Sequence, residues 1–232
     1  MNLSYEFLQQ ILKGYLRLFS LQYVVSGEYP LPAGPKIIAA NHPNATDSFY
    51  LPFLLPEDLH FLMQKSIFSN PIVGWALRQA GQIEVRHEDG REAFKAACGL
   101  LRRGESIVIY PEGRLNPDHK NYQGRSGAVR MSLETGAPII PLGIHVPTSN
   151  LRDIRRVQEP WTNAWRWQVS GSCYLKFGDP WRPAETAAQG TSVSARVLTN
   201  QLMHTLYGLV AQITTAQEAR ASQTWPNMVL QQ

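Results

Sequence analysis

Lys36 to Asp47 reads KIIAANHPNATD. Its first half, Lys36 to Ala40, is a short apolar run of the kind that forms a strand buried on both faces. Its second half leaves that strand through Asn41-His42-Pro43-Asn44-Ala45-Thr46-Asp47, a polar segment with an early proline. A buried strand exiting into a polar turn is the unit from which α/β sheets are built, and the strand exit is where such sheets hold ligands.

Outward from this unit the pattern recurs. His60 to Met63, Gln82 to Arg86 (QIEVR), Ser106 to Tyr110 (SIVIY), Pro138 to Ile144 (PIIPLGI) and Gly171 to Phe177 are strand candidates. Pro141 predicts a sheet edge or a strand end for its segment, because proline has no N–H for the ladder. Helical segments alternate with the strands. Leu51 to Leu55 falls within a helix expected after Asp47. Asn70 and Pro71 have the chemistry of an N-cap and first helical residue for a helix reaching Ala80. Asp89 is a candidate cap for a helix through Arg103 that Gly104 ends, residues 125–135 read as a helix stopped by Gly136, and 192–217 as a long helix. The expected fold class is therefore α/β: a single domain with a mostly parallel central sheet flanked by helices, plus an N-terminal amphipathic helix.

That first helix carries Leu3, Phe7, Leu8, Ile11, Leu12, Tyr15, Leu16 and Phe19 at helical spacing. The stripe suits either packing on the domain or rest in a lipid headgroup region. The expected organisation is an amphipathic helix and linker over 1–30, with Gly27 to Pro35 as its Pro/Gly-rich loop, a domain over 31–220, and a tail over 221–232.

Composition narrows the class. The 232 residues are 44% hydrophobic and 17% charged, which suits a folded globular chain. The net charge of +4 suits a partner that carries phosphate. Neither a nucleic-acid arm nor a helix-turn-helix, RNP-like or zinc-finger pattern is visible, so no nucleic acid is expected. Cys98 and Cys173 stand far apart with no metal-ligand spacing, so no metal site is expected and both read as reduced core thiols. No run reaches the ~18 apolar residues of a span, and the start lacks the features of a signal peptide, so a lipid-active chain would lie on a membrane rather than cross it.

His42 and Asp47 are the first chemical candidates. Five residues on a regular helix turn about 500°, which separates the two side chains. They meet only if His42 precedes the helix, in a turn, with Asp47 near its first residues. So placed, a neutral imidazole can take a proton from an alcohol while the carboxylate holds its other nitrogen. The same two residues also fit a mere helix start. Other strand exits add cations: Lys65 after the strand near residue 60, Arg86 after QIEVR, and Arg114 within Tyr110-Pro111-Glu112-Gly113-Arg114. Gathered at one sheet edge they suit a substrate with a hydroxyl and a phosphate.

These segments together resemble the glycerolipid acyltransferases, the 1-acylglycerol-3-phosphate acyltransferase-like family with its HX4D motif. Four blocks appear in that family's order: Asn41, His42 and Asp47; Gly81 to Arg86, with Lys65, Pro71 and Gly74 upstream; Tyr110 to Gly113; and Ala137 to Pro141. Gly124 to Gly136 is similar to the helix that joins the last two. The resemblance covers about residues 36–145. It implies that His42 deprotonates an acceptor hydroxyl, that Asp47 orients it, and that the hydroxyl oxygen attacks a thioester without an acyl-enzyme. No GxSxG elbow occurs. Lys65, Arg86, Glu112, Gly113 and Arg114 are the implied substrate-binding residues, with Glu112 expected to hold one of the cations. No cofactor is implied beyond an acyl-CoA or acyl-carrier-protein co-substrate. The implied partners are a thioester donor, a lysophospholipid acceptor and a membrane surface, and the implied location is cytoplasmic, peripheral on the inner face of the cell membrane.

One departure bears on the acceptor. The family's third block usually reads Glu-Gly-Thr-Arg-Ser, whereas Gly113 is followed directly by Arg114, Leu115 and Asn116. This variant is closer to the branch with tafazzin-like transacylases, which leaves a phospholipid–lysophospholipid transacylase, or an enzyme for another lipid alcohol, as the alternative. Outside the blocks, residues 151–167 (LRDIRRVQEPWTNAWRW) interleave Arg152, Arg155, Arg156 and Arg166 with Trp161, Trp165 and Trp167. They read as a long surface excursion whose tryptophans pack on the core or meet a membrane interface.

Overall fold

The computed structural model describes residues 3–26, 31–86, 90–116, 123–158, 161–188 and 194–224; for 154–158, 161–165, 186–188 and 220–224 it describes the backbone. The helices are α1 (Leu3–Leu18), α2 (Pro71–Gln79), α3 (Arg91–Arg102), α4 (Gly127–Thr135), α5 (Pro183–Ala188) and α6 (Ala195–Thr224). The strands are β1 (Gln22–Ser26), β2 (Ile37–Ala40), β3 (Leu59–Gln64), β4 (Ile83–Val85), β5 (Ser106–Ile109), β6 (Ile139–His145), β7 (Leu151–Gln158), β8 (Trp161–Gln168) and β9 (Ser172–Phe177).

Seven strands form one sheet in the order β1-β9-β6-β2-β5-β3-β4. β6, β2, β5, β3 and β4 run parallel, and β9 joins β6 antiparallel. The sheet is thus mostly parallel, as expected. Period-two alternation sends Ile38, Ala40 and Val108 to one face, with Tyr5 and Leu16 of α1. Ile37, Ala39, Ile107 and Ile109 face the other way, against α3, α4 and α6. Helices on both faces explain why the central strands are apolar throughout. Cys173 lies in the first cluster and Cys98 in the second, both free and buried.

Local signals act where they were read. The Asn70 side chain accepts from the Ile72 and Val73 N–H groups and caps α2, and α4 ends at Gly136 in the left-handed region with φ 74°. The Asp89 cap falls outside the described residues.

Several expectations are corrected. In place of an α-helix after Asp47 the chain makes two short 3-10 turns, Asp47–Phe49 and Leu51–Phe53. Pro52 in the second is compatible with a first turn and not with a helix interior. Pro141 is on no edge: β6 is central, with β2 on one side and β9 on the other. Its missing N–H falls where β9 pairing has ended, since that ladder begins at Leu142 opposite Phe177 and the chain rejoins only at the Ile139–Trp181 bridge. The Pro141 carbonyl still accepts from Gly178 N–H at 2.9 Å. Gln22–Ser26, read as linker, is β1, paired to β9. Residues 151–167, read as a long surface excursion, fall within the β7–β8 hairpin, a separate two-stranded sheet. α6 continues to Thr224, past the start read for the tail.

A candidate active site at the carboxyl edge of the sheet

Parallel β2, β5, β3 and β4 all end at one sheet edge, and the chemistry lies there. Beyond β2, the Asn41 side chain replaces a ladder partner. Its Nδ2 donates to Ile144 O at 2.9 Å and its Oδ1 accepts from Ile144 N–H at 2.7 Å. This amide pins the strand exit to β6 and frees the main chain to turn.

The turn then folds on its own polar groups. Asn44 Oδ1 accepts from Thr46 N–H at 2.9 Å, a local bond that favours a turn over a helix. The turn brings Asp47 back beneath His42, whose Nδ1 lies 2.9 Å from Asp47 Oδ2. The carboxylate is fully buried while the imidazole keeps 19% of its surface exposed. Since the carboxylate accepts, Nδ1 carries the hydrogen and Nε2 presents its lone pair.

Two residues outside that pair complete the support. The Tyr110 ring stacks on the imidazole with centroids 4.0 Å apart and planes 18° apart. Ser48 Oγ donates to Asp47 Oδ1 at 3.2 Å and shares a 2.8 Å hydrogen bond with the Tyr110 hydroxyl. Burial and the nearby Asp47 charge push the Tyr110 phenol well up, which keeps it a donor. The sequence marked Tyr110 as the aromatic before Pro-Glu-Gly; its stack on His42 requires adjacent β2 and β5, which only the sheet supplies.

Glu112 has a different role from the one expected. Its Oε2 accepts from the His42 main-chain N–H at 3.0 Å and its Oε1 from the Tyr207 hydroxyl. Both oxygens hold the site's own framework rather than a cation. Burial raises the Glu112 carboxyl above the usual range, opposed by the Tyr207 hydroxyl and the His42 N–H.

The cations share the edge in the order His42, Arg114, Lys65, Arg86, given by β2-β5-β3-β4. Lys65 opens the 3-10 turn after β3. Lys65, Arg86 and Arg114 are exposed. Arg86 Nε lies 3.5 Å from Glu84 Oε1, and the Arg78 hydrogen bond to Glu84 holds that carboxyl below its ordinary range. Arg86 is three strands from His42, about 14 Å at ordinary strand spacing. Sequence reading missed a further guanidinium, that of Arg125, which lies against Gly113. Gly113 turns with φ 69°, and a Cβ there would come 2.5 Å from Arg125 Nε. Arg125 N–H also donates to Pro111 O at 2.7 Å. Arg125 stands 11 residues after Arg114 in sequence, and nothing local reveals that it folds back on Gly113.

The hairpin is wired to the same turn. Arg166 O accepts from Ala45 N–H at 2.8 Å, and Gln168 N–H donates to Thr46 Oγ1 at 3.2 Å. Fully buried Gln168 accepts from the Tyr50 hydroxyl at 2.7 Å. Trp167 meets Phe49 edge-on, so one of the three tryptophans does pack inward. The side chains of Trp161 and Trp165 lie outside the described residues.

The family described as Acyltransferase matches residues 22–145, just over half of the chain, and includes every part of the edge described above except the hairpin and α6. This chain belongs to the acyltransferase family. A chloroplast 1-acyl-sn-glycerol-3-phosphate acyltransferase of Brassica napus is 27% identical over 51% of this chain and 36% of its own. A lyso-ornithine lipid O-acyltransferase of Pseudomonas aeruginosa is 32% identical over 52% of this chain and 46% of its own. The chain thus spans less than half the length of each of these two relatives. The crystal structure of the 1-acyl-sn-glycerophosphate acyltransferase PlsC of Thermotoga maritima superposes with a TM-score of 0.67, over 90% of this chain and 79% of that one, at 21% identity. The chain therefore shares the PlsC fold.

Proposed function

We propose that the chain is an O-acyltransferase that moves a fatty acyl group from a thioester to the hydroxyl of a lysophospholipid such as 1-acylglycerol 3-phosphate, in phospholipid biosynthesis. The observation that carries this reading is the 2.9 Å contact between His42 Nδ1 and a fully buried Asp47 at the sheet edge. His42 Nε2 takes the hydroxyl proton as the oxygen attacks the thioester carbonyl. The imidazolium, held by Asp47, returns that proton to the leaving thiolate, so the products are an ester and a free thiol. Positioned base help of this kind contributes ~10²–10⁴ in rate. Lys65, Arg114 and Arg125 supply positive charge for the acceptor phosphate or the tetrahedral oxyanion, with Arg86 further along the edge. Acyl-CoA and acyl-carrier protein are the two donors to compare.

A second reading, transfer from a phospholipid or to another lipid alcohol, is favoured by Arg114 standing directly after Gly113. The Pseudomonas relative named for a lyso-ornithine lipid supports it too. An assay with labelled acyl-CoA, acyl-carrier protein and phospholipid donors against a panel of lysolipids separates the readings. Thioester-dependent product is expected, and product from phospholipid donor alone would favour the transacylase. No labelled lipid with any donor would reject both.

We also propose that the chain works as a peripheral protein on the inner face of the cell membrane. No described helix is long and apolar enough to cross one. α1 turns Tyr5 and Leu16 inward and leaves Leu3, Phe7 and Ile11 outward, with Leu3 81% exposed. α2, packed beside α1, adds Ile72 at 78% and Trp75 at 63% exposure. Lys13 and Arg17 flank this apolar surface, a composition that suits an anionic bilayer. In flotation with anionic vesicles, Phe7→Ser/Ile11→Ser should lose most binding, and a Trp161, Trp165 and Trp167 to Ala variant should lose less. Unchanged flotation of the first variant would discard α1 as the contact.

A further inference from the structure

α6 lies beyond the family match, which ends at residue 145, yet it reaches the site. We propose that Tyr207 on α6 is a positioning residue that closes a ring of hydrogen bonds around the His42 main chain. The proposal rests on the acyl-transfer reading given above.

The ring has four members. His42 N–H donates to Glu112 Oε2 at 3.0 Å, and the Tyr207 hydroxyl donates to Glu112 Oε1. Asn116 Nδ2 donates to the Tyr207 oxygen at 3.1 Å, and Asn116 N–H donates to His42 O at 2.8 Å. Both peptide groups of His42 are therefore held, and both holds meet at one phenol. Glu112 and Asn116 are each 8% exposed, so water competes little for these bonds.

α6 is placed tightly enough to serve this purpose. Leu198, Leu202, Met203 and Leu206 are buried against the sheet and α4. Where α6 crosses β6, a Cβ on Gly143 would come 2.7 Å from Leu209 Cβ, so helix and strand are in near contact. Two residues before Leu209, the Tyr207 hydroxyl has little freedom to leave Glu112.

The ring also governs charge. Burial works against the Glu112 anion; the Tyr207 hydroxyl, the His42 N–H and positive charge, and the Asn116 amide work for it. Arg125 lies against neighbouring Gly113, and no described Lys or Arg pairs with Glu112 itself. Without the Tyr207 hydroxyl, Glu112 takes up a proton at higher pH. A protonated carboxyl accepts from His42 N–H more weakly than the anion does, which loosens the hold on that peptide group.

Tyr207→Phe tests this by removing one oxygen from the full-length protein. Expected results are a kcat about tenfold lower at neutral pH with acceptor and donor KM unchanged, an acidic limb of kcat moved to higher pH, and an upward-moved Glu112 carboxyl titration by ¹³C NMR. Asn116→Ala, which opens the ring from its other side, should move kcat in the same direction by less. In a Glu112→Gln background Tyr207→Phe should add little, because both act through one ring. A Tyr207→Phe protein with wild-type kcat and acidic limb would overturn the proposal. So would a lowered melting temperature with the acidic limb and the Glu112 titration in place, since that is a packing role only. If Tyr207→Phe does not fold, an unchanged acidic limb in Asn116→Ala overturns the proposal. A wild-type protein that transfers no acyl group, with the Glu112 titration moved by Tyr207→Phe, would support the ring and remove the reaction.

Discussion

His42→Ala should fold normally and lose ~10²–10⁴ in kcat, the range that positioned general-base help supplies. The fold is expected to persist because the ring of His42 is partly exposed, its main chain stays bonded to Glu112 and Asn116, and buried Asp47 keeps the Ser48 hydroxyl and the Asn44 N–H as donors. Alanine keeps both peptide groups. What disappears is the group that can take the acceptor proton at the sheet edge. The Tyr110 ring loses its stacked partner, a packing loss that appears in the melting temperature rather than in KM. The measurement is steady-state acyl transfer beside a thermal melt. Equal turnover in wild type and variant would remove His42 from the mechanism.

Asp47→Asn should cost ~10²–10⁴ in kcat as well, through a different atom. The amide can present oxygen to His42 Nδ1 and keep the tautomer, but then the imidazolium forms without a negative partner in a buried setting. It can instead present its NH₂, and then Nδ1 must accept, so the proton moves to Nε2 and the base is lost. Either orientation leaves the volume unchanged, so the chain should remain folded. The two substitutions act on one device, so His42→Ala/Asp47→Asn should be no slower than His42→Ala alone. Losses that multiply would show that Asp47 acts independently of the imidazole.

The parts of the molecule that were legible share a property: their determinants lie within a few residues of one another. KIIAA and SIVIY are buried strands because their own side chains need two apolar faces. Asn70 caps α2 with its own carboxamide, and Gly136 ends α4 with its own φ. The His42/Asp47 pair was readable for the same reason, since one short turn carries both groups.

The missed parts depend on partners far along the chain. β1 is an exposed edge strand that exists because β9 lies beside it, 150 residues later. Pro141 is tolerated in a central strand only because its neighbour stops pairing at that level. Glu112 was expected to hold a cation, but α6 and the β2 exit claim both of its oxygens. Arg125 and Tyr207 carry no local mark at all.

The sequence alone determined the class of fold, the central strands with the helices α2, α3, α4 and α6, and the turn with its imidazole and carboxylate, because hydrophobic periodicity and local hydrogen bonding act over a few residues. The tertiary structure decided which strands are neighbours, and with that which side chains converge on His42. Neighbour choice is a matter of non-local burial, and no short stretch of residues contains it.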